Sequence, residues 1–123
     1  MSSSEGASIP RLYGRARISG QVIWATNLEE VISTRSESAG GGKGGGPRVT
    51  TTTYAYFANF AIGLCEGSIA GIGRMWVDGK QSDLSQYSYR VYRGSEDQLP
   101  DPLIEAKEAP GEKPAYRGLA YIV

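Results

Sequence analysis

Apolar and polar residues alternate along much of the chain, and this pattern predicts strands. Between positions 15 and 24, arginine, serine and glutamine alternate with apolar or small residues, namely Ala16, Ile18, Gly20, Val22 and Trp24. A period of two is typical of a half-buried strand. A turn at 26–27 and a second run of β-forming residues at 28–35 predict a further strand.

The longest apolar run predicts a long strand over positions 50–64. Four threonines lead into a stretch in which Tyr54, Tyr56, Phe60 and Leu64 fall on one face. Some of these positions also fit the 3.6-residue period of a helix, but the threonines and aromatic residues favour a strand. The predicted strand has about fifteen residues, against a typical five or six.

Shorter strands and sharp reversals are predicted in the second half of the chain. Gly67 and Gly71 frame a bend, and Asp78-Gly79 is typical of a type I′ turn. Strands are predicted at 72–77, 87–92 and 118–123, and a loop at 83–85.

A single short helix is predicted over positions 101–108. Asp101 suits the N-cap, and Pro102 suits the first turn because its missing N–H has no partner there. Pro110-Gly111 ends the predicted helix.

A glycine-rich segment predicts a mobile hairpin tip. Six of the seven positions 40–46 are glycine, which loses more backbone entropy on ordering than any other residue. The fold is therefore predicted to be mainly β with one short helix, an antiparallel β-barrel-like or sandwich domain with a long Gly-tipped hairpin. The predicted boundaries are a flexible leader at 1–8 and one β-rich domain at 9–123, with a flexible loop at 39–47. The sequence ends within an apolar run, which indicates part of a longer protein.

Composition and charge restrict the classes of partner. The 123 residues suit one domain. The 17 glycines are well above average usage, and the 8 tyrosines favour strands whose outer faces are not fully buried. The 13 basic and 13 acidic residues cancel, and no long basic run is present, so no direct nucleic-acid site is predicted. No apolar stretch approaches the ~20 residues of a membrane helix, and the N-terminal residues do not resemble a signal peptide.

No catalytic, cofactor-binding or metal-binding residues are predicted. The chain has no histidine, and Cys65, its one cysteine, is interpreted as a small buried hydrophobe. A single cysteine also excludes an internal disulfide and fits a reducing compartment. The Walker A pattern fails, because Lys43 is followed by Gly44 and Glu37 stands at the first glycine position. A dinucleotide fingerprint fails as well, since Trp76 stands where its last glycine is needed.

Two further functional hypotheses rest on carboxylates and tyrosines. The adjacent pairs Glu29-Glu30 and Glu96-Asp97 are interpreted as surface charges, and a hydrolase with an unrecognised carboxylate pair stays open. A carbohydrate-binding module is the main alternative, because sugars stack on aromatic faces such as one formed by Tyr54, Tyr56, Tyr87, Tyr89 and Tyr92. Cross-strand packing and a subunit interface are the favoured interpretation of these tyrosines.

Three stretches resemble a known family. Residues 9–20 (IPRLYGRARISG) are similar to the "IP-x-x-YG-x-x-R-x-x-G" motif of phage tail-tip proteins. Residues 64–72 (LCEGSIAGI) and 76–79 (WVDG) resemble their "LCEGPI…WVDG" segment, with Ser68 where relatives often carry proline. Residues 92–105 (YRGSEDQLPDPLIE) resemble the tail-tip hub protein of gene transfer agents, also called megatron or host-specificity protein, and its siphophage relatives.

The resemblance implies a structural role in a virion or gene-transfer-agent particle. It implies part of a trimeric baseplate hub at the tail tip, which closes the tail tube and supports host attachment and DNA delivery. The implied partners are further copies of the same chain, the distal tail and tube rings, and other baseplate proteins. Such a protein is made in the bacterial cytoplasm. Family members are several times longer, so their other regions are not transferred to this chain, and no enzymatic activity is implied.

Overall fold

The computed structural model describes residues 4–38 and 46–123, which are mainly antiparallel β-structure. The chain divides into two compact units, a sheet unit (residues up to Ala25, with Phe60–Val123) and a hairpin unit (Thr26–Asn59). The strands are β1 (Gln21–Ala25), β2 (Glu29–Ser38), β3 (Arg48–Phe57), β4 (Phe60–Glu66), β5 (Met75–Val77), β6 (Lys80–Ser82), β7 (Val91–Arg93) and β8 (Leu119–Ile122). A 3-10 helix (Leu84–Gln86) and the helix α1 (Pro102–Lys107) complete the described elements.

The sheet unit is built on a four-stranded antiparallel sheet in the order β1-β4-β8-β7. The last strand in the sequence, β8, lies inside this sheet, and its central residues Ala120 and Tyr121 are fully buried. Irregularities interrupt the register between Val22 and Trp24 on β1 and between Gly63 and Cys65 on β4. The prediction of a mainly β chain with one short helix is confirmed. No sheet in the described residues closes into a barrel, which is consistent with a β-sandwich-like domain.

A small core holds the helix against the sheet. Ala61, Ile104 and Tyr121 are fully buried in it, and the partly buried residues packed around them are Ile23, Trp24, Tyr92, Tyr116 and Val123. The Trp24 indole Nε1 donates a hydrogen bond of 2.6 Å to Glu108 Oε1, at the C-terminal end of α1. The helix is only six residues long, so packing and capping stabilise it more than intrinsic propensity does.

Two predicted strands are corrected by the structure. The strand predicted over 15–24 begins only at Gln21. The residues before it are not in a strand, and among them the Arg17 guanidinium lies 4.3 Å from the centre of the Trp76 ring. The long strand predicted over 50–64 is split into β3 and β4. Between them Asn59 exchanges hydrogen bonds with Thr26, which ties together the two ends of the hairpin unit. Alternation alone did not reveal the break, because both halves have the same period.

The second half follows its predicted order with shorter strands. The strand predicted over 72–77 covers only Met75–Val77, and the one predicted over 87–92 covers only Val91–Arg93. The predicted loop at 83–85 contains the start of the 3-10 helix, which Asp83 caps. The turn at 78–79 is confirmed, since Asp78 and Gly79 have φ angles of 51° and 77°. The helix with Asp101 as N-cap and the final strand are also confirmed.

The glycine-rich loop predicted at 39–47 lies largely outside the described residues. Gly46 and Pro47, at its end, have no regular secondary structure. The leader at 1–8 and the single domain at 9–123 stay predictions. In the described part of the chain, no helix has the length and apolar character required to cross a membrane.

Candidate interaction surface

Almost all of the described residues of the hairpin unit are exposed. Its strands pair antiparallel over ten residues each, from Glu29 opposite Phe57 to Ser38 opposite Arg48. Every residue of β2 is exposed, and on β3 only Ala55 is partly covered. A two-stranded ribbon of this kind is marginally stable in water by itself. The hairpin therefore lacks the packing that stabilises the sheet unit.

Apolar side chains lie on both faces of the end of the hairpin where the two chain ends meet, here called the hairpin base (residues 28–32 and 54–57). The register places Val31 and Phe57 on one face, and Ile32, Tyr54 and Tyr56 on the other. Each of these five side chains is at least 50% exposed. A strand that is apolar on both faces is typical of one covered on both sides. Contiguous exposed apolar residues of this kind mark interaction sites.

The remainder of the hairpin, here called the hairpin arm (residues 33–38 and 48–53), is polar and rich in β-branched residues. Thr50 to Thr53 lie opposite Ser33 to Ser36. The Arg35 Nε lies 2.8 Å from Glu37 Oε1, and both side chains are largely exposed, so this ion pair contributes little stability. Threonine favours strands without supplying apolar area to a core, so the arm is suited to backbone pairing rather than to burial.

Each hairpin strand has one edge that no described residue pairs with, because β2 and β3 form a two-stranded sheet. The charges of the two strands differ. Three glutamates and one arginine give β2 a formal charge of −2, whereas β3 carries Arg48 and no acidic residue, a charge of +1. Unpaired strand edges are a template for another strand. The hairpin thus offers one acidic and one basic edge.

The stretches that carry the family resemblance meet at one corner of the sheet unit, here called the Gly67 junction. The Glu66 N–H donates to the Pro10 carbonyl (2.9 Å), and the Ile69 N–H donates to the Arg93 carbonyl (2.8 Å). Gly67 itself has a φ of 87°, a left-handed conformation that glycine adopts without strain. Ser68 Oγ donates to the Gly94 carbonyl at 3.2 Å, so this serine adds a hydrogen bond across the junction.

Gly94 packs tightly into the Gly67 junction. Its φ is 84°, and a Cβ at this position would collide with the Gly67 carbonyl oxygen. The Gly94 N–H donates to Gln98 Oε1 (3.2 Å), and Gln98 Nε2 lies within 3.1 Å of the carbonyl oxygens of Ala115, Tyr116 and Leu119. Sequence reasoning did not identify Gln98, because a lone glutamine in a polar loop has no distinguishing pattern.

Asp101 is the most connected side chain in the sheet unit and is fully buried. Its carboxylate accepts two hydrogen bonds from the Arg90 guanidinium (2.6 and 2.8 Å), one from the Tyr92 hydroxyl (2.7 Å), and the N–H groups of the first turn of α1. Burial alone would raise the pKa of Asp101, but the hydrogen bonds from Arg90, Tyr92 and Leu103 lower it to about 2. The bond to Asp101 in turn raises the pKa of Arg90. This constellation ties the helix to β7 and has no solvent-facing carboxylate with which to do chemistry.

The five tyrosines considered as a stacking platform belong to two different units, and one of them packs against a core. Tyr92 lies in the core of the sheet unit, where its ring stacks on Tyr121 with centroids 4.5 Å apart. Burial, followed by the hydrogen bond to Asp101, raises the pKa of Tyr92 to about 12. Tyr54 and Tyr56 belong to the hairpin unit, and Tyr56 donates a hydrogen bond to Glu30. Core packing therefore accounts for Tyr92 and a cross-strand hydrogen bond for Tyr56, whereas Tyr54 is exposed.

The other candidate chemical groups are structural or surface residues. Cys65 is buried, and burial raises the pKa of its thiol, as expected for a small hydrophobe. Glu66 and Glu96 line one shallow, open groove together with Arg11 and Arg117. The Glu66 carboxylate is well exposed and lies 3.8 Å from the Arg11 guanidinium. Among the described residues, no three or more histidine, cysteine or acidic side chains are grouped so that they could hold a metal ion.

Comparison with known proteins finds that this chain is similar to a component of a virion particle. No family model matches the sequence, and no curated protein matches it. A solved structure described as "Virion of native gene transfer agent (GTA) particle" contains a chain that is 44% identical to this one, with a TM-score of 0.71. The likeness covers 98% of this chain and 23% of that chain, so the present sequence spans about a quarter of the length of its relative. It supports a structural component of a gene transfer agent or phage virion, and favours a structural over an enzymatic role.

Proposed function

We propose that this chain is part of the baseplate hub at the tail tip of a phage or gene-transfer-agent particle, acting through contacts between subunits. The observation that carries the proposal is the hairpin base, whose exposed apolar residues on both faces require a partner. The likeness to a chain of a gene-transfer-agent virion supplies the setting in which such a partner exists.

The proposed hub is a homotrimer that closes the tail tube and supports host attachment and DNA delivery. In this role the sheet unit is a rigid body, because its turns are pinned at Gly67 and Gly94 and its helix is tied to the sheet by Asp101. The hairpin is the connecting element, because its side chains are exposed and no described strand lies beside its outer edges, so neighbouring chains can pair there. The distal tail and tube rings and other baseplate proteins are the further proposed partners, and the tail tip is the proposed location.

Labelling of intact particles tests the proposed location. Antibodies raised against the 123-residue chain are bound to purified particles and located by electron microscopy. We expect labels at the end of the tail remote from the head, with three copies of the chain per particle by quantitative mass spectrometry. Labels on the head or along the tail shaft would overturn the proposed position, and a copy number that is not three would overturn the trimer.

A carbohydrate-binding function is not proposed, since Tyr92 belongs to the core rather than to an exposed platform. Titration of the chain with cell-wall glycan fragments in a calorimeter checks this. No heat of binding is expected, and saturable binding would reinstate the alternative.

A further inference from the structure

We infer that β2 of one copy pairs antiparallel, edge to edge, with β3 of the next copy, so that hairpins of successive subunits form one continuous sheet. The inference rests on the proposed function in one respect, which is that a ring of identical chains supplies the neighbour. It names the contact that the hairpin makes within that ring.

The first argument is the pairing capacity of the hairpin. β2 and β3 have equal lengths of ten residues, and each has one edge without a partner in the described chain. In hairpins that point the same way around an axis, β2 of one copy runs antiparallel to β3 of the next. An open edge of this length is a predicted aggregation site unless another strand covers it.

The second argument is charge. The formal charge of −2 on β2 and +1 on β3 favours β2 beside β3 and disfavours β2 beside β2, which would place two acidic strands together. The contact is therefore heterologous rather than isologous. Heterologous contacts generate closed rings when the rotation between copies closes. Around a threefold axis such a contact would leave no open edge on any hairpin.

The third argument is that the pairing gives the exposed apolar side chains of the hairpin base new neighbours. An additional strand on each edge extends both faces of the hairpin base, so that Val31 and Phe57 on one face, and Ile32 and Tyr54 on the other, gain neighbours across the new pair. The threonine-rich arm contributes backbone hydrogen bonds and cross-strand threonine contacts.

Disulfide formation between copies tests the pairing. Ser33→Cys is mixed in equal amounts with variants that each carry one added cysteine at a β3 position from 50 to 55, and the mixtures are oxidised. Opposed residues in neighbouring strands lie within the Cα separation that a disulfide requires. The native Cys65 is retained because it is buried, and the parent chain reports its background. We expect at least about fivefold more disulfide-linked dimer in one mixture than in any single variant alone, since only a heterologous contact brings β2 and β3 together.

Controls separate this contact from its competitors. Ser88→Cys, at an exposed position of the sheet unit, replaces Ser33→Cys in matched mixtures and is expected to give only background dimer. Equal yields from a single variant alone would show β2–β2 or β3–β3 pairing and overturn the inference. Background yields at all six β3 positions would overturn it too.

A charge reversal, introduced into the cysteine mixture that gives the most dimer, tests the charge argument separately from the choice of cysteine positions. Arg48→Glu changes the formal charge of β3 from +1 to −1 and is expected to lower the dimer yield about threefold at low salt, with a smaller effect at high salt. Lys80→Glu, an exposed reversal on β6 of the sheet unit, is the matched control and is expected to leave the yield unchanged. Equal effects of the two reversals would contradict strand-to-strand recognition. Antibody labels away from the tail tip would overturn the proposed function without changing these yields, so the two failures are distinguishable.

Discussion

The sheet unit and the hairpin unit are built from similar β-forming residues and differ in where their stability comes from. In the sheet unit, a buried carboxylate, a stacked tyrosine pair and a capped helix converge on fully buried residues. The hairpin unit has long, regular pairing with nearly every side chain exposed. Regular pairing is therefore a poor guide to independent stability. The two units differ in burial: a helix and core residues cover the strands of the sheet unit, whereas the described strands of the hairpin unit are exposed.

The largest effect is expected from Asp101→Ala in the sheet unit. The change removes the partner of Arg90, Tyr92 and the first turn of α1. Loss of these hydrogen bonds to a charged group, together with loss of the N-cap, is expected to cost about 3–5 kcal/mol of unfolding free energy. Urea unfolding followed by tryptophan fluorescence measures it, because Trp24 and Trp76 both belong to the sheet unit. Asp83→Ala is the matched control, since Asp83 caps the exposed 3-10 helix. A loss as large for Asp83 as for Asp101 would show that burial of the network is not what matters.

A slightly smaller loss is expected from Gly94→Ala. The added methyl group meets the Gly67 carbonyl, and the backbone has a positive φ, so we expect about 2–4 kcal/mol of destabilisation. Gly111→Ala has the same kind of φ but open space around it, and about 1 kcal/mol is expected there. The difference between the two variants isolates the close approach at the Gly67 junction. Equal losses would mean that only backbone conformation is important.

The pH dependence of the sheet unit follows from the lowered pKa of Asp101. Because its pKa is about 2 when folded and about 4 when unfolded, the unfolded state binds more protons between these values. The associated stability is fully present above pH 4 and is lost as the pH falls towards 2, by about 2 kcal/mol. Urea unfolding across this range, compared with Asp101→Asn, measures it. The same slope in the variant would assign the pH dependence to other carboxylates.

Two tyrosines that stack on each other are expected to respond differently to loss of their hydroxyl groups. Tyr92→Phe removes a hydrogen bond to a buried carboxylate and is expected to cost about 1–2 kcal/mol. The Tyr121 hydroxyl is buried and makes no hydrogen bond within the described residues, so Tyr121→Phe is expected to be neutral or slightly stabilising. Thermal unfolding of both variants is the measurement. A large loss for Tyr121→Phe would reveal a bound water at that hydroxyl.

The smallest effect on stability is expected in the hairpin. Tyr54→Ser removes an exposed side chain, so the unfolding free energy of the sheet unit, read from tryptophan fluorescence, is expected to change by less than about 0.5 kcal/mol. Self-association of the chain, measured by sedimentation velocity, is expected to weaken. A stability loss comparable to that of Tyr92→Phe, without weaker association, would contradict the separation between the two units.

The order of elements could be predicted from the sequence more reliably than their partners. Asp101 with Pro102, and Asp78-Gly79, act through local backbone chemistry, so the helix and the turn were predicted where they occur. The long strand at 50–64 was wrong because a change of sheet between β3 and β4 leaves the alternation intact. Tyr92 and Tyr54 have the same alternating context, and only the fold places one in a core and the other on a surface.

In the candidate site, too, features set by local conformation could be predicted and contacts between distant segments could not. The bend at Gly67 could be predicted because it depends on local conformation, whereas the contacts between the three resemblance stretches were not predicted. Gln98 and Arg90 carry no local signal, since their roles depend on carbonyls and a carboxylate brought from other segments. The open acidic and basic strands of the hairpin could be identified only once the structure showed that β2 and β3 form a separate two-stranded sheet.

Hydrogen–deuterium exchange of the hairpin amides tests the central claim most directly, because it asks whether neighbours stabilise the hairpin. Exchange of residues in β2 and β3 is compared between the dilute chain and intact particles, with β4 and β8 as internal references. Slow exchange of β4 and β8 in both samples is predicted, with the hairpin near the rate of an unfolded peptide in the dilute chain and strongly protected in particles. Equal protection of the hairpin in the two samples would contradict the account.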